Sequence, residues 1–184
     1  MAIEEAPYKV LKSDDKFEIR EYAPHILAET IVDGDLEEAG NKAFRPLFRY
    51  ISGDNRARAK VTMTAPVSQE KAGEKITMTA PVNQQRLQDR WAVSFTMPAS
   101  YTLETLPIPD DPKISFRQVP ARRMAAVRYS GFWSEKNYLQ NKTDLEAWMH
   151  DLGFAAGGDP VWARYNPPFM PWFLRRNEIL IPVK

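Results

Sequence analysis

The chain has 184 residues, 25 of them basic and 24 acidic, for a formal net charge of +1. That balance excludes the basic field of a nucleic-acid or anionic-membrane binder. The absence of Cys removes disulfide frames, thiolate metal sites and Cys nucleophiles. No apolar run approaches the ~20 residues of a membrane span. The first seven residues lack the basic and apolar regions of a leader, so a cytoplasmic protein is expected, with no membrane and no nucleic-acid partner. One domain over 1–184 is expected, long enough to bury roughly 70% of its unfolded surface without metal or disulfide.

In chain order, Tyr8–Leu11 and Phe17–Tyr22 read as strands around the polar turn Ser13-Asp14-Asp15. Pro24 restarts the chain into a third strand, His25–Val32. A helix follows. Asp35 is its N-cap, with Glu38 placed for a capping box, and Gly53 is its C-cap. Leu36, Ala39, Ala43, Phe44, Leu47, Phe48 and Ile51 form one apolar stripe. Lys42, Arg45 and Arg49 run along its flank, and Pro46 predicts a kink.

One stretch then occurs twice: Lys60-Val-Thr-Met-Thr-Ala-Pro-Val67 and Lys75-Ile-Thr-Met-Thr-Ala-Pro-Val82. Both copies alternate with period two, which predicts a hairpin of half-buried strands. Face parity allows Met63 opposite Met78 or opposite Ala80. The two Met side chains pack a core or form an adaptable wall for a flat apolar ligand. A polar link is expected over Asn83–Arg90, then a strand over Trp91–Met97 and a stiff Pro-rich crossing over Leu106–Pro112.

The second half repeats the plan. Ile114–Val119 and Arg123–Tyr129 are strands separated by Pro120. Ser134 caps a helix closed by Gly153, and Val161–Tyr165 and Glu178–Val183 are the last strands. The expected fold class is α+β, with two βαββ-type repeats (about 8–98 and 113–184) in a curved antiparallel sheet against two helices.

For catalysis the sequence offers no constellation. There is no nucleophile elbow, and only His25 and His150. His25 reads as a strand-start rim residue, and His150 ends a helix, where the macrodipole favours a cation. No catalytic residue is assigned, and any metal ligand is unknown. The richest segment is Tyr165–Glu178, where Pro167, Pro168 and Pro171 stiffen a loop carrying Phe169, Met170, Trp172 and Phe173. Such a loop covers a core or lines a pocket. Arg175, Arg176 and Glu178 read as a structural ion pair or a ligand clamp.

The phrase Phe44-Arg-Pro-Leu-Phe-Arg-Tyr-Ile51, the Met-Thr-Ala-Pro-Val copies, Tyr165-Asn-Pro-Pro168 and Arg175-Arg-Asn-Glu178 together resemble the SOUL haem-binding protein family over nearly the whole chain. The resemblance implies a distorted antiparallel β-barrel flanked by two helices, similar to the sensing domain of bacterial effector-binding regulators. It implies a non-catalytic carrier, buffer or sensor that takes haem or another tetrapyrrole as cofactor on an apolar face beside the first helix. Phe44, Leu47 and Phe48, with Phe169, Met170 and Trp172 and the repeat residues Met63 and Met78, are the expected ring contacts. Arg45 or Arg49 would meet propionates. Glu21 stands where some members carry a proposed axial His, which leaves Met63, Met78 or His25 as alternatives. Basic positions of animal relatives match Asn41, Arg49 and Met170, of which only Arg49 is charged. The alternative reading is an effector-binding module for another small apolar ligand. A third is an enzyme using a pocket carboxylate such as Glu18, Glu21 or Glu29.

Overall fold

A computed structural model of the chain describes residues 3–58 and 73–184. Nine strands form one antiparallel sheet: β1 (Tyr8–Asp14), β2 (Phe17–Tyr22), β3 (His25–Val32), β4 (Val82–Leu87), β5 (Arg90–Thr96), β6 (Ser115–Val119), β7 (Arg122–Tyr129), β8 (Val161–Arg164) and β9 (Asn177–Pro182). Helix α1 (Leu36–Ser52) follows β3, and α2 (Glu135–Asp151) follows β7. The order across the sheet is β6-β3-β5-β4-β8-β9-β7-β2-β1.

That order is symmetric about the β4–β8 pair. The unit β3-α1-β4-β5 on one side matches β7-α2-β8-β9 on the other, so two βαββ units are joined edge to edge. The strand before each unit crosses over: β2 pairs with β7, and β6 pairs with β3. The two-residue links Ala23-Pro24 and Pro120-Ala121 therefore join strands six places apart in the order. In a flat sheet six places span about 29 Å, whereas two linking residues reach at most about 11 Å. The sheet must curl strongly. It does not close, because β6 and β1 remain its edges, so the expected barrel is an open one.

Each face has its own apolar cluster. On the convex face α1 packs on β3 and β5, and α2 packs on β7 and β9. Ala39, Ala43, Leu47, Val93, Val127, Trp162 and Ile179 meet there. The concave face holds Ala6, Tyr22, Met124, Ala126, Val161, Ala163 and Leu180. Strand alternation supplies both sets, as Val161 and Ala163 face one way and Trp162 the other.

Local signals place α1. The Asp35 carboxylate accepts from the backbone N–H of Glu37 (2.9 Å) and Glu38 (2.7 Å), and Gly53 ends the helix at φ 122°. Glu38 does not complete a capping box; its carboxylate accepts from Lys42 Nζ at 2.7 Å. Helix α1 runs unbroken through Pro46.

Two expectations change. Asn83–Leu87 is part of β4, not a polar link. Its polar side chains have partners or partly wet surroundings: Asn83 and Gln85 line the concave side, and buried Gln84 donates to the Leu36 carbonyl (2.7 Å). In the second repeat copy the strand residues are Thr79–Ala80, paired in parallel with Glu4–Glu5, and Val82, which opens β4. The first copy, with Met63 and the proposed hairpin, lies outside the described residues.

Candidate functional site

The apolar period of α1 is wider than the surface that covers it. Leu36, Ala39, Gly40, Ala43, Leu47, Tyr50 and Ile51 are buried. Phe44 and Phe48, expected in the same stripe, remain 37% and 44% exposed. One turn apart, they stack on each other with ring centroids 5.6 Å apart and planes 14° apart. Phe44 also leans on Phe95 of β5 (5.5 Å).

Opposite Phe44 opens a hollow of about 370 Å³, walled by Met78, Val82, Trp133, Arg164 and the Tyr165–Pro168 corner. Gly40 and Asn41 complete the α1 side, and Ile3 closes the N-terminal side. Its lining is mostly apolar, as expected of a small-molecule site. Trp133 is held in place by its indole N–H, which donates to Asn177 Oδ1 (2.8 Å). Arg175 clips the Pro-rich loop, donating to the carbonyls of Met170 (2.8 Å) and Pro168 (2.7 Å).

The residues named from sequence are distributed as follows. Phe44 and Met78 share the hollow, and Phe48 joins them through its stack on Phe44. Leu47 does not line it; at 0% exposure it belongs to the core under α1. Helical geometry turns position 47 inward by about 300° from position 44. Arg45 is exposed on the outer face. Arg49, 68% exposed, donates to Asp54 Oδ2 (2.6 Å) beside a separate crevice with Pro46 and Asp110. Phe169 is 85% exposed, and Trp172 stacks on Phe132 (5.3 Å) ahead of α2. Within the loop it is Pro167 and Pro168, and not Phe169, Met170 or Trp172, that line the hollow.

Neither histidine reaches this wall. His25 lies on the concave side, where its Nδ1 is 2.9 Å from the Ala23 carbonyl. Burial pushes its pKa down, and the Arg122 and Arg117 charges add to that against the pull of the carbonyl. His150 is exposed beside Asp151. Glu21 is exposed on β2, 3.6 Å from Arg123 Nε. Among the described residues Met78 is the one thioether or imidazole in the wall.

The concave face has a different character. The space bounded by Tyr22, His25, Arg117, Arg122, Met124 and Tyr165 is about 40 Å³, room for a few waters. Beside it Glu178 is fully buried and saturated by protein donors. Arg20 donates through Nη1 (2.6 Å) and Nη2 (3.1 Å), Arg176 through Nε (3.0 Å) and Tyr165 through its hydroxyl (2.9 Å). Burial opposes the Glu178 charge, yet these bonds and the two guanidinium charges hold the carboxyl below its usual range. Arg176 and Glu178 therefore form a structural ion pair, which Arg176 extends to Glu5 (2.8 Å).

A model of the SOUL heme-binding protein family matches residues 3–182. The chain belongs to the SOUL haem-binding protein family. It is 25% identical over 184 residues to Heme-binding protein 1 of Mus musculus, covering 97% of this chain and 92% of that protein. The protein of the same name from Xenopus tropicalis is 26% identical over 165 residues, with 89% and 81% covered. In fold this SOUL chain is similar to the EcmrR C-terminal domain, at TM-score 0.64 and 14% identity over 96% of this chain and 98% of that one.

Sequence reasoning passed over Trp133, Val82, Gly40 and Arg164. Arg164 left a signal: it shares the helix-facing side of β8 with Trp162, where a charge is out of place.

Proposed function

We propose that this chain is a non-catalytic binder of haem or a related tetrapyrrole, and that the ring enters the hollow beside α1. The observation that carries the reading is the hollow of about 370 Å³, open beside the stacked, part-exposed Phe44 and Phe48. Ligand sites run from ~300 to ~1,000 Å³. A flat macrocycle would therefore be only partly enclosed, with an edge in water. The residues fit such a group: Phe44, Met78, Val82, Trp133, Pro167 and Pro168 offer flat or deformable apolar surface, and the buried charge in the wall is a cation. Haem would supply an iron, and of the described lining side chains Met78 could hold it, since the Tyr165 hydroxyl is engaged with Glu178. The family supports haem as occupant, and the relatives' names point the same way.

The concave face does not favour a second reading. Its buried acid, Glu178, already bonds two arginines and a tyrosine, and Glu5, which also lines that space, is paired with Arg176.

Hemin titration tests the proposal. The Soret band is expected to shift saturably at micromolar protein, with quenching of tryptophan fluorescence through Trp133. Phe44→Asp places a charge on the apolar wall and is expected to weaken binding about tenfold or more. No saturable change with the unaltered protein would sink the proposal. Arg49→Ala is a control variant. Its exposed pair with Asp54 is worth ~0–1 kcal/mol, and hemin affinity is expected to stay within about twofold.

A further inference from the structure

We propose that Arg164 anchors an acidic group of the ligand, so that the hollow selects a flat apolar ring bearing at least one carboxylate. The proposal rests on the ligand site proposed above. Arg164 is 8% exposed, yet it lines the hollow. The described ion pairs take up Arg20, Arg49, Arg56, Arg117, Arg123 and Arg176, and Arg164 is in none of them. Its Nε has no hydrogen-bond partner among the described residues, and its Nη2 makes one long bond to the Leu36 carbonyl (3.5 Å). A buried guanidinium carries five donors, and leaving them unmatched is unfavourable.

Around it stand two indoles and the Leu36 carbonyl, with Gln84 Oε1 on the same Gly40 side but in no hydrogen bond to it. Its Cζ lies 4.1 Å from the Trp162 ring centre and 4.9 Å from that of Trp133. These contacts favour a cation without satisfying its N–H groups. Against α1 the fit is close. A Cβ at Gly40 would stand 2.7 Å from Arg164 Nη1 and 3.1 Å from its Cζ, so the absent side chain is what admits the guanidinium to the wall. Burial lowers the Arg164 pKa to about 10, with the nearby Arg175 charge adding to that and Tyr129 and Glu37 opposing it. The group is therefore still charged at neutral pH. A carboxylate arriving in the hollow would supply the missing acceptor through charge-assisted bonds in a partly dry site.

The opposing account is that Arg164 is only a packing element between Trp162, Trp133 and α1. Four titrations separate the two, followed by tryptophan quenching. Hemin and hemin dimethyl ester, whose propionates are blocked, are each bound to the unaltered protein and to Arg164→Met. The unaltered protein is expected to prefer hemin over its ester by about tenfold, and Arg164→Met to lose that preference by weakening hemin alone. Arg164→Lys, which keeps a charge, is expected to restore part of it. The thermal midpoint of ligand-free Arg164→Met is expected to be no lower than that of the parent, since an unpaired buried charge is replaced by an apolar chain of similar length. Equal hemin affinity for the parent and Arg164→Met, with a lowered midpoint, overturns the anchor and leaves the binder reading standing. Failure of the unaltered protein to bind either ring overturns both.

Discussion

Glu178→Ala is expected to lower the free energy of unfolding by about 3–5 kcal/mol, read as a lower urea midpoint at unchanged m. The reason is what it leaves behind. Arg20 has a side chain only 3% exposed and loses both its bonds to Glu178. Its remaining ion partner is Glu18 at 2.6 Å. Tyr165 and Arg176 lose acceptors in the same step. Domains are stable by about 5–15 kcal/mol, so this one carboxylate decides a large share. The pH dependence follows from the depressed Glu178 pKa. The unfolded chain takes up this proton at higher pH than the folded one does. The stabilisation is thus complete above the ordinary value of 4.5 and lost as pH falls through the lower folded value. Stability curves of the parent and Glu178→Ala are expected to converge in acid; a constant gap down through that range would assign the loss to packing instead.

Leu47→Ala is expected to destabilise by about 2–5 kcal/mol, the range for large-to-small changes in a core, while hemin affinity in the folded protein changes less than about twofold. Leu47 sits among Ala43, Ile51 and the β5 side chains with no solvent contact. Phe44, three residues earlier, is expected to behave in the opposite way, because it packs on one side and is open on the other. Denaturant unfolding and hemin titration of the two variants together check this. A Leu47 variant of normal stability and weak binding would place that side chain in the site.

Much of the fold was legible locally. Asp35 and Gly53 bounded α1 because capping depends on residues within one turn. Strands β2, β3, β5, β6, β7 and β9 followed from alternation and from the prolines that restart the chain. The doubled plan was visible as strand, Pro, strand, helix, strands. Strand β4 was not legible, because Asn83, Gln84 and Gln85 are polar on both faces. Their justification is remote: Gln84 serves the Leu36 carbonyl at the start of α1, and its neighbours face the concave side. The placement of the loop aromatics was not legible for a related reason. Composition marked Phe169 and Trp172 as apolar, but the staple from Arg175 turns Pro167 and Pro168 toward the hollow instead.

The sequence alone determined the family, the α+β class, the ends of α1 and the repeated order of elements, since each is written in short-range pattern or in motif order. Only the tertiary structure decided which part of the apolar stripe stays uncovered, which carboxylate is spent inside the protein and which buried guanidinium, among the described residues, is left without one. A period of 3.6 residues says which side of a helix is apolar but not how wide its partner surface is. Likewise, a list of charges does not say which will meet, because pairing depends on strands brought together from opposite ends of the chain, as Arg20 and Glu178 are.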